Sequence, residues 1–145
     1  MAAKRRRVDN GPIIPPAAAA ILEQLCPDLA NWPKAWAYEP DDIAIGQRIV
    51  EFIEPFLIDL LQHGLAHKTL TRHRDHLWML GGEVIRRRHD DPDLAKQPVH
   101  DLLRDLIEED GGPLIWPRIA ESEQKAFDAT CRKLDRFLKQ QKSCS

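Results

Sequence analysis

The chain has 145 residues, 43% of them hydrophobic and 30% charged, with a formal net charge of −2. Such a chain can bury one domain-sized core, and its balance excludes an indiscriminate polyanion binder; three scattered cysteines make no disulfide scaffold. No apolar run approaches the roughly 20 residues of a membrane span, and residues 8–16 are too polar and proline-rich for a signal peptide, so the expectation is an intracellular protein with no membrane partner.

In chain order, residues 1–16 read as a disordered basic arm: Lys4, Arg5, Arg6 and Arg7 precede Asn10-Gly11-Pro12 and Pro15-Pro16. The arm also has the form of a nuclear-localisation signal. Residues 17–145 read as a single helical domain, because strand-forming runs of Val, Ile, Thr and Tyr are missing. A short helix spans Ala17 to Leu25, stopped before Pro27. Residues 26–40 hold Pro27, Pro33 and Pro40 among Trp32, Trp36 and Tyr38, which predicts irregular chain whose aromatics lid a core.

The first long helix runs from about Asp42 to Gln62, capped by Asp41 and ended near Gly64, with a kink expected about one turn before Pro55. Its Ile45, Ile49, Phe52, Ile53, Phe56, Leu57, Leu60 and Leu61 keep the helical period. The second helix runs from about Lys68 to Arg87; Leu70, His73, Leu77, Leu80, Val84 and Ile85 share one face. Gly81-Gly82 weakens its middle unless another backbone approaches closely there. A loop is expected over 89–97, then a third helix from Pro98 to about Glu109, buried through Val99, Leu102, Leu103, Leu106 and Ile107. The last helix runs from about Ser122 to Gln140, with Phe127, Cys131, Leu134 and Leu138 inward. The fold class is therefore all-α: a compact bundle of four main helices with a disordered basic arm.

Charge is segregated along this chain. Residues 64–88 carry +4 and 111–145 carry +3, whereas 11–63 and 89–110 each carry −6. On the last helix Lys125, Arg132, Arg136 and Lys139 fall within an arc of about 60° opposite the apolar face. Such a ridge can track a phosphate backbone and gain affinity by releasing counterions. The second helix offers a mixed version, in which Lys68, Arg72, His76, Arg86 and Arg87 share the polar arc with Asp75 and Glu83. Either stripe alone is also what an ordinary solvated helix face shows.

Other constellations carry less. The histidines His63, His67, His73, His76, His89 and His100 lack the spacing of a metal motif, and no cysteine stands beside them. His73-Arg74-Asp75 matches a kinase triplet in letters only, with no glycine-rich phosphate loop. There is no GxSxG, HExxH or P-loop, so neither an enzyme nor a cofactor is expected. The tryptophans Trp32, Trp36, Trp78 and Trp116 read as cover over a small core.

Residues 43–140 resemble the N-terminal core-binding domain of tyrosine recombinases. The features are the apolar helix Ile49 to Leu61, the turn Gly64-Leu-Ala-His-Lys-Thr-Leu70, the basic helix beginning at Thr69, and the tail Cys131-Arg-Lys-Leu-Asp-Arg-Phe-Leu138. In that family the second and fourth helices face DNA, which implies contacts at Lys68, Thr69, Arg72, Arg132 and Arg136. Family members continue into a catalytic domain with a tyrosine nucleophile, whereas the only tyrosine here, Tyr38, precedes the matched region. The resemblance therefore implies binding without strand cleavage.

The functional expectation is a non-catalytic DNA-binding or accessory protein. Its phosphate contacts would come from Lys68, Thr69, Arg72, Arg86, Lys125, Arg132, Arg136 and Lys139. The alternative is a protein-interaction module, an adaptor, inhibitor or subunit that docks a protein partner through segregated charge.

Overall fold

A computed structural model describes residues 16–108 and 110–144 of the chain. Apart from Pro16, the basic arm read over 1–16 lies outside the described residues. The elements run α1 (Pro16–Leu25), a 3-10 turn (Leu29–Asn31), α2 (Trp32–Trp36), α3 (Asp42–Gln62), α4 (His67–Asp90), α5 (Pro92–Ala95), α6 (Val99–Leu106) and α7 (Glu121–Cys144). Among the described residues there is no β-strand, only an isolated bridge between Glu108 and Gly111. The fold is the expected all-α bundle, with α3, α4, α6 and α7 as its four main helices. No helix among them is long and apolar enough to cross a membrane.

α3 forms because its apolar residues return every three to four positions. Ile49, Ile53, Phe56 and Leu57 are at most 1% exposed. Pro55 lies inside the helix. The cap differs from expectation: Asp41 makes no side-chain cap bond, and Asp42, the first residue of the helix, binds the preceding chain instead. The Asp42 carboxylate accepts from the backbone N–H groups of Tyr38 and Glu39, at 2.9 and 3.1 Å, and lies 2.8 Å from His89 Nε2. The turn that enters α3 folds those N–H groups back over Asp42, while Asp41 faces solvent.

Residues 26–40 are more ordered than their prolines suggest. Pro33 occupies the first turn of α2, where a missing N–H removes no helical hydrogen bond. Trp32 and Trp36 are core residues rather than lids, with ring centroids 5.6 Å apart. The Trp36 indole lies flat against α4 at Gly81 and donates from Nε1 to the Trp78 carbonyl at 3.0 Å. Gly81-Gly82 thus admits an approaching indole, not a backbone. A close backbone approach occurs instead at Gly46 of α3, where a Cβ would come within 2.7 Å of Pro33 Cα.

The expected loop over 89–97 is largely helical. α4 continues to Asp90, and Asp91 caps α5 by accepting from the Asp93 N–H at 2.9 Å. α6 ends at Leu106, short of the expected Glu109. Ile107 turns extended to bury its side chain, and Glu108 and Gly111 then close a turn through two backbone bonds of 2.8 and 3.1 Å. Gly111 has φ +147°, and a Cβ there would meet Asp128 at 2.7 Å, so glycine is required.

α7 starts one residue earlier and ends four later than the pattern predicts. Gln124, buried near its start, organises the preceding loop. Its Oε1 accepts from the N–H groups of Ile115 and Trp116, and its Nε2 donates to the Pro113 carbonyl and to Asp128.

Neighbouring glycines should respond oppositely to the same methyl group. Gly81→Ala drives a Cβ into the Trp36 ring and should destabilise the domain by about 1–3 kcal/mol. Gly82→Ala meets the ring at 3.5 Å, ordinary contact, and should be neutral or stabilise by up to about 1 kcal/mol through helix propensity. Denaturant melts of both variants check this; equal effects would remove the indole from the account.

Candidate nucleic-acid interface

Two imidazoles and one hydroxyl set how α4 sits against α7. His73 Nδ1 and His76 Nδ1 are each 2.7 Å from Thr130 Oγ1, and the His76 ring meets Phe127 edge-on. Further along, His76 Nε2 lies 3.6 Å from Glu123, and Glu83 of α4 bonds Arg118, just ahead of α7. Rising numbers on α4 thus meet falling numbers on α7, so the pair is antiparallel.

The hydrogen-bond roles follow from the surroundings. The Glu123 carboxylate favours a proton on His76 Nε2, so His76 Nδ1 accepts from the Thr130 hydroxyl. The Thr130 oxygen then accepts from His73 Nδ1–H. His73 Nε2 is left buried, with no hydrogen-bond partner among the described residues. Burial, aided by the nearby charges of Lys133, His76 and Arg72, pushes the His73 pKa down to about 4. Burial also lowers His76, against the pull of Glu123.

The seam brings Arg72 of the α4 stripe near Lys133 of α7, through their common neighbour His73. Lys68 and Arg72 are exposed on the first turns of α4, with Thr69 half-buried between them. On α7, Lys133 and Arg136 line a shallow groove of about 200 Å³ against the end of α3, with Phe56, Asp59, Leu60 and His63. Arg72 and Lys133 both lie near enough to His73 to help lower its pKa.

The outer ridge of α7 is more varied. Lys125 and Arg136 are exposed, and neither has an acidic partner within 4 Å among the described residues. Arg132 donates to the Asp110 carbonyl at 3.2 Å, and Lys139 pairs with Asp135 at 3.0 Å. Arg86 stands apart, bound to Glu83 and to Asp90, both at 2.7 Å.

Sequence reasoning missed the arrangement around Arg86. Glu83, buried at 4% exposure, binds Arg86, Arg87 and Arg118 at 2.5 to 2.7 Å. Burial would raise the Glu83 carboxyl, but the three guanidinium bonds outweigh it and hold the pKa at about 2. The Glu83/Arg86/Arg87 spacing of three and four was legible as a helical ion pair. Arg118 was not, because it arrives from 35 residues away. Lys133 was missed because it lies outside the solvent-facing arc, on the seam side.

The remaining candidates separate. His89 joins Asp42, His100 stacks on Phe52, and His63 approaches the Asp59 carbonyl. Among the described residues no three His, Cys, Asp or Glu side chains converge as a metal site requires. Cys26 and Cys131 are buried thiols, pushed by burial to about 11 and about 12, so neither is a ready thiolate nucleophile. Trp78 and Trp116 are exposed, unlike Trp32 and Trp36. Comparison of the chain with protein-family models, with characterised proteins and with solved structures finds no match.

The seam should make the domain acid-labile well above the carboxylate range. His73 takes up a proton near 6.5 when unfolded but only near 4 when folded. Its stabilising contribution is therefore complete above pH 6.5 and is lost as pH falls towards 4, by up to about 3 kcal/mol. Glu83, lowered from 4.5 to about 2, adds a second loss below pH 4.5. Urea melts from pH 7.5 to 4.5 should show the first decline, and His73→Leu should reduce its slope. An unchanged slope in that variant would assign the lability elsewhere.

Proposed function

We propose that this domain is a non-catalytic DNA-binding or accessory protein that grips the phosphate backbone with the paired α4–α7 face. What supports the reading is the antiparallel seam, at which Arg72 of α4 and Lys133 of α7 both lie near His73, with Lys68 and Arg136 about one turn further along their own helices. Two short rows of cations on adjacent helices fit a polyanion better than either stripe alone. From Lys125 to Lys139 the α7 ridge extends about 21 Å, a length over which one DNA strand presents about six phosphates.

The acidic block of the chain lies on other elements: Asp93, Asp101, Asp105 and Glu108 belong to α5, α6 and the turn after them. Phosphate contacts dominate in this picture, because the ridge is built of Lys and Arg; Gln140, which lines the groove with Lys133 and Arg136, is the amide at hand for a base edge. The resemblance to the recombinase core-binding domain points the same way, to binding without strand cleavage. Arg86 drops to a minor role, since its guanidinium is already engaged by Glu83 and Asp90.

Mobility shifts with generic duplex DNA at rising salt test the proposal. The wild-type chain should be retained at low salt, with affinity falling steeply as salt increases. Arg72→Ala/Arg136→Ala should weaken binding by about tenfold or more and lower the salt slope by about 2, one unit per lost phosphate contact. Retention that is absent at low salt, or unaltered in the double variant, would remove the DNA reading.

A further inference from the structure

At the far end of α4, the surface formed by Arg86, Arg87 and Arg118 has features the DNA reading does not use. Three guanidiniums gather on one buried carboxylate, and Arg86 takes Asp90 as well, so the group keeps a net charge of +1. Arg87 also donates to the Leu114 carbonyl at 2.9 Å, which ties the loop after α6 onto the cluster. That loop displays Leu114 and Trp116, 62% and 50% exposed, between Arg87's anchor point and Arg118. Gln124 holds the Trp116 backbone in place, so the ring stands on an ordered platform.

Each guanidinium has five N–H groups, and Glu83, Asp90 and Leu114 engage only part of them. The remainder belong to partly exposed side chains that Glu83 already positions, so little rotamer entropy is left to lose on binding. Tryptophan and arginine around a pinned centre is the composition of an interface hot spot.

We infer that this surface docks a protein partner through an acidic–apolar segment, with one or two carboxylates on Arg87 and Arg118 and an apolar side chain against Trp116 and Leu114. Charge complementarity selects the carboxylate, and the flanking charges limit its extent. Asp90, Asp91 and Glu121 stand beside the cluster in sequence and disfavour a long polyanion such as nucleic acid. The site is distinct from the α4–α7 ridge, so the two readings stand or fall separately. With both correct, the domain bridges DNA and a protein.

The test is a nuclear magnetic resonance titration of the full isotope-labelled chain. The probes are a short peptide with glutamates flanking leucine and phenylalanine, its glutamine counterpart, and a single-stranded oligonucleotide. The glutamate peptide should move the Trp116 indole and the Arg87 and Arg118 Nε–H resonances. Trp116→Ala should weaken its binding at least fivefold while thermal stability and duplex DNA retention persist, and Leu114→Ser gives a second, fold-neutral check. Arg118→Ala should weaken it as well, with some loss of stability because it also removes a partner of buried Glu83. The proposal is overturned if the glutamine peptide binds equally, if the variants bind as before, if no peptide binds, or if only the oligonucleotide moves these resonances.

Discussion

The Thr130 hydroxyl stands between two imidazoles at 2.7 Å, and the way α4 meets α7 depends on that contact. The hydroxyl donates once and can accept twice, and Glu123 decides the roles: with the proton of His76 on Nε2, His76 Nδ1 accepts from the hydroxyl and His73 Nδ1–H donates to its oxygen. The arrangement is polar and directional in an otherwise apolar interface. It ties the turns of α4 that carry His73 and His76 to the turn of α7 that carries Thr130, and so brings Arg72 and Lys133 to the same ring. An apolar replacement of equal volume would hold the helices together with less control over which faces meet.

A second constraint acts from the opposite side of α4. The Trp36 indole fills the space left by the missing side chain at Gly81 and bonds the Trp78 carbonyl. α4 is therefore held between the aromatic arm that precedes α3 and the hydroxyl of α7. Its charged groups divide accordingly. Those near its start remain exposed, whereas those near its end converge on Glu83. One helix thus carries two kinds of cationic surface, one open and one pinned.

Much of this was legible in the residue order. α3 and α7 follow from apolar spacing, and the solvent-facing arc of Lys125, Arg132, Arg136 and Lys139 follows from the same geometry. Where the reading departed, the cause is tertiary or local. The prolines of 26–40 looked like breakers, although Pro33 sits where a helix loses nothing by it. α6 stops early because Ile107 is worth more in the core than as another helical residue. Lys133, Arg118 and Thr130 gain their roles from contacts across tens of residues, for which a single sequence holds no signal.

The central claim is that α4 and α7 present one shared cationic face to DNA. A titration of the labelled chain with a short duplex, followed by nuclear magnetic resonance, tests it most directly. The account predicts that resonances from Lys68 to Arg72 and from Lys133 to Arg136 move together along one binding curve. Movement confined to one helix, or centred on residues 114–118, would contradict it.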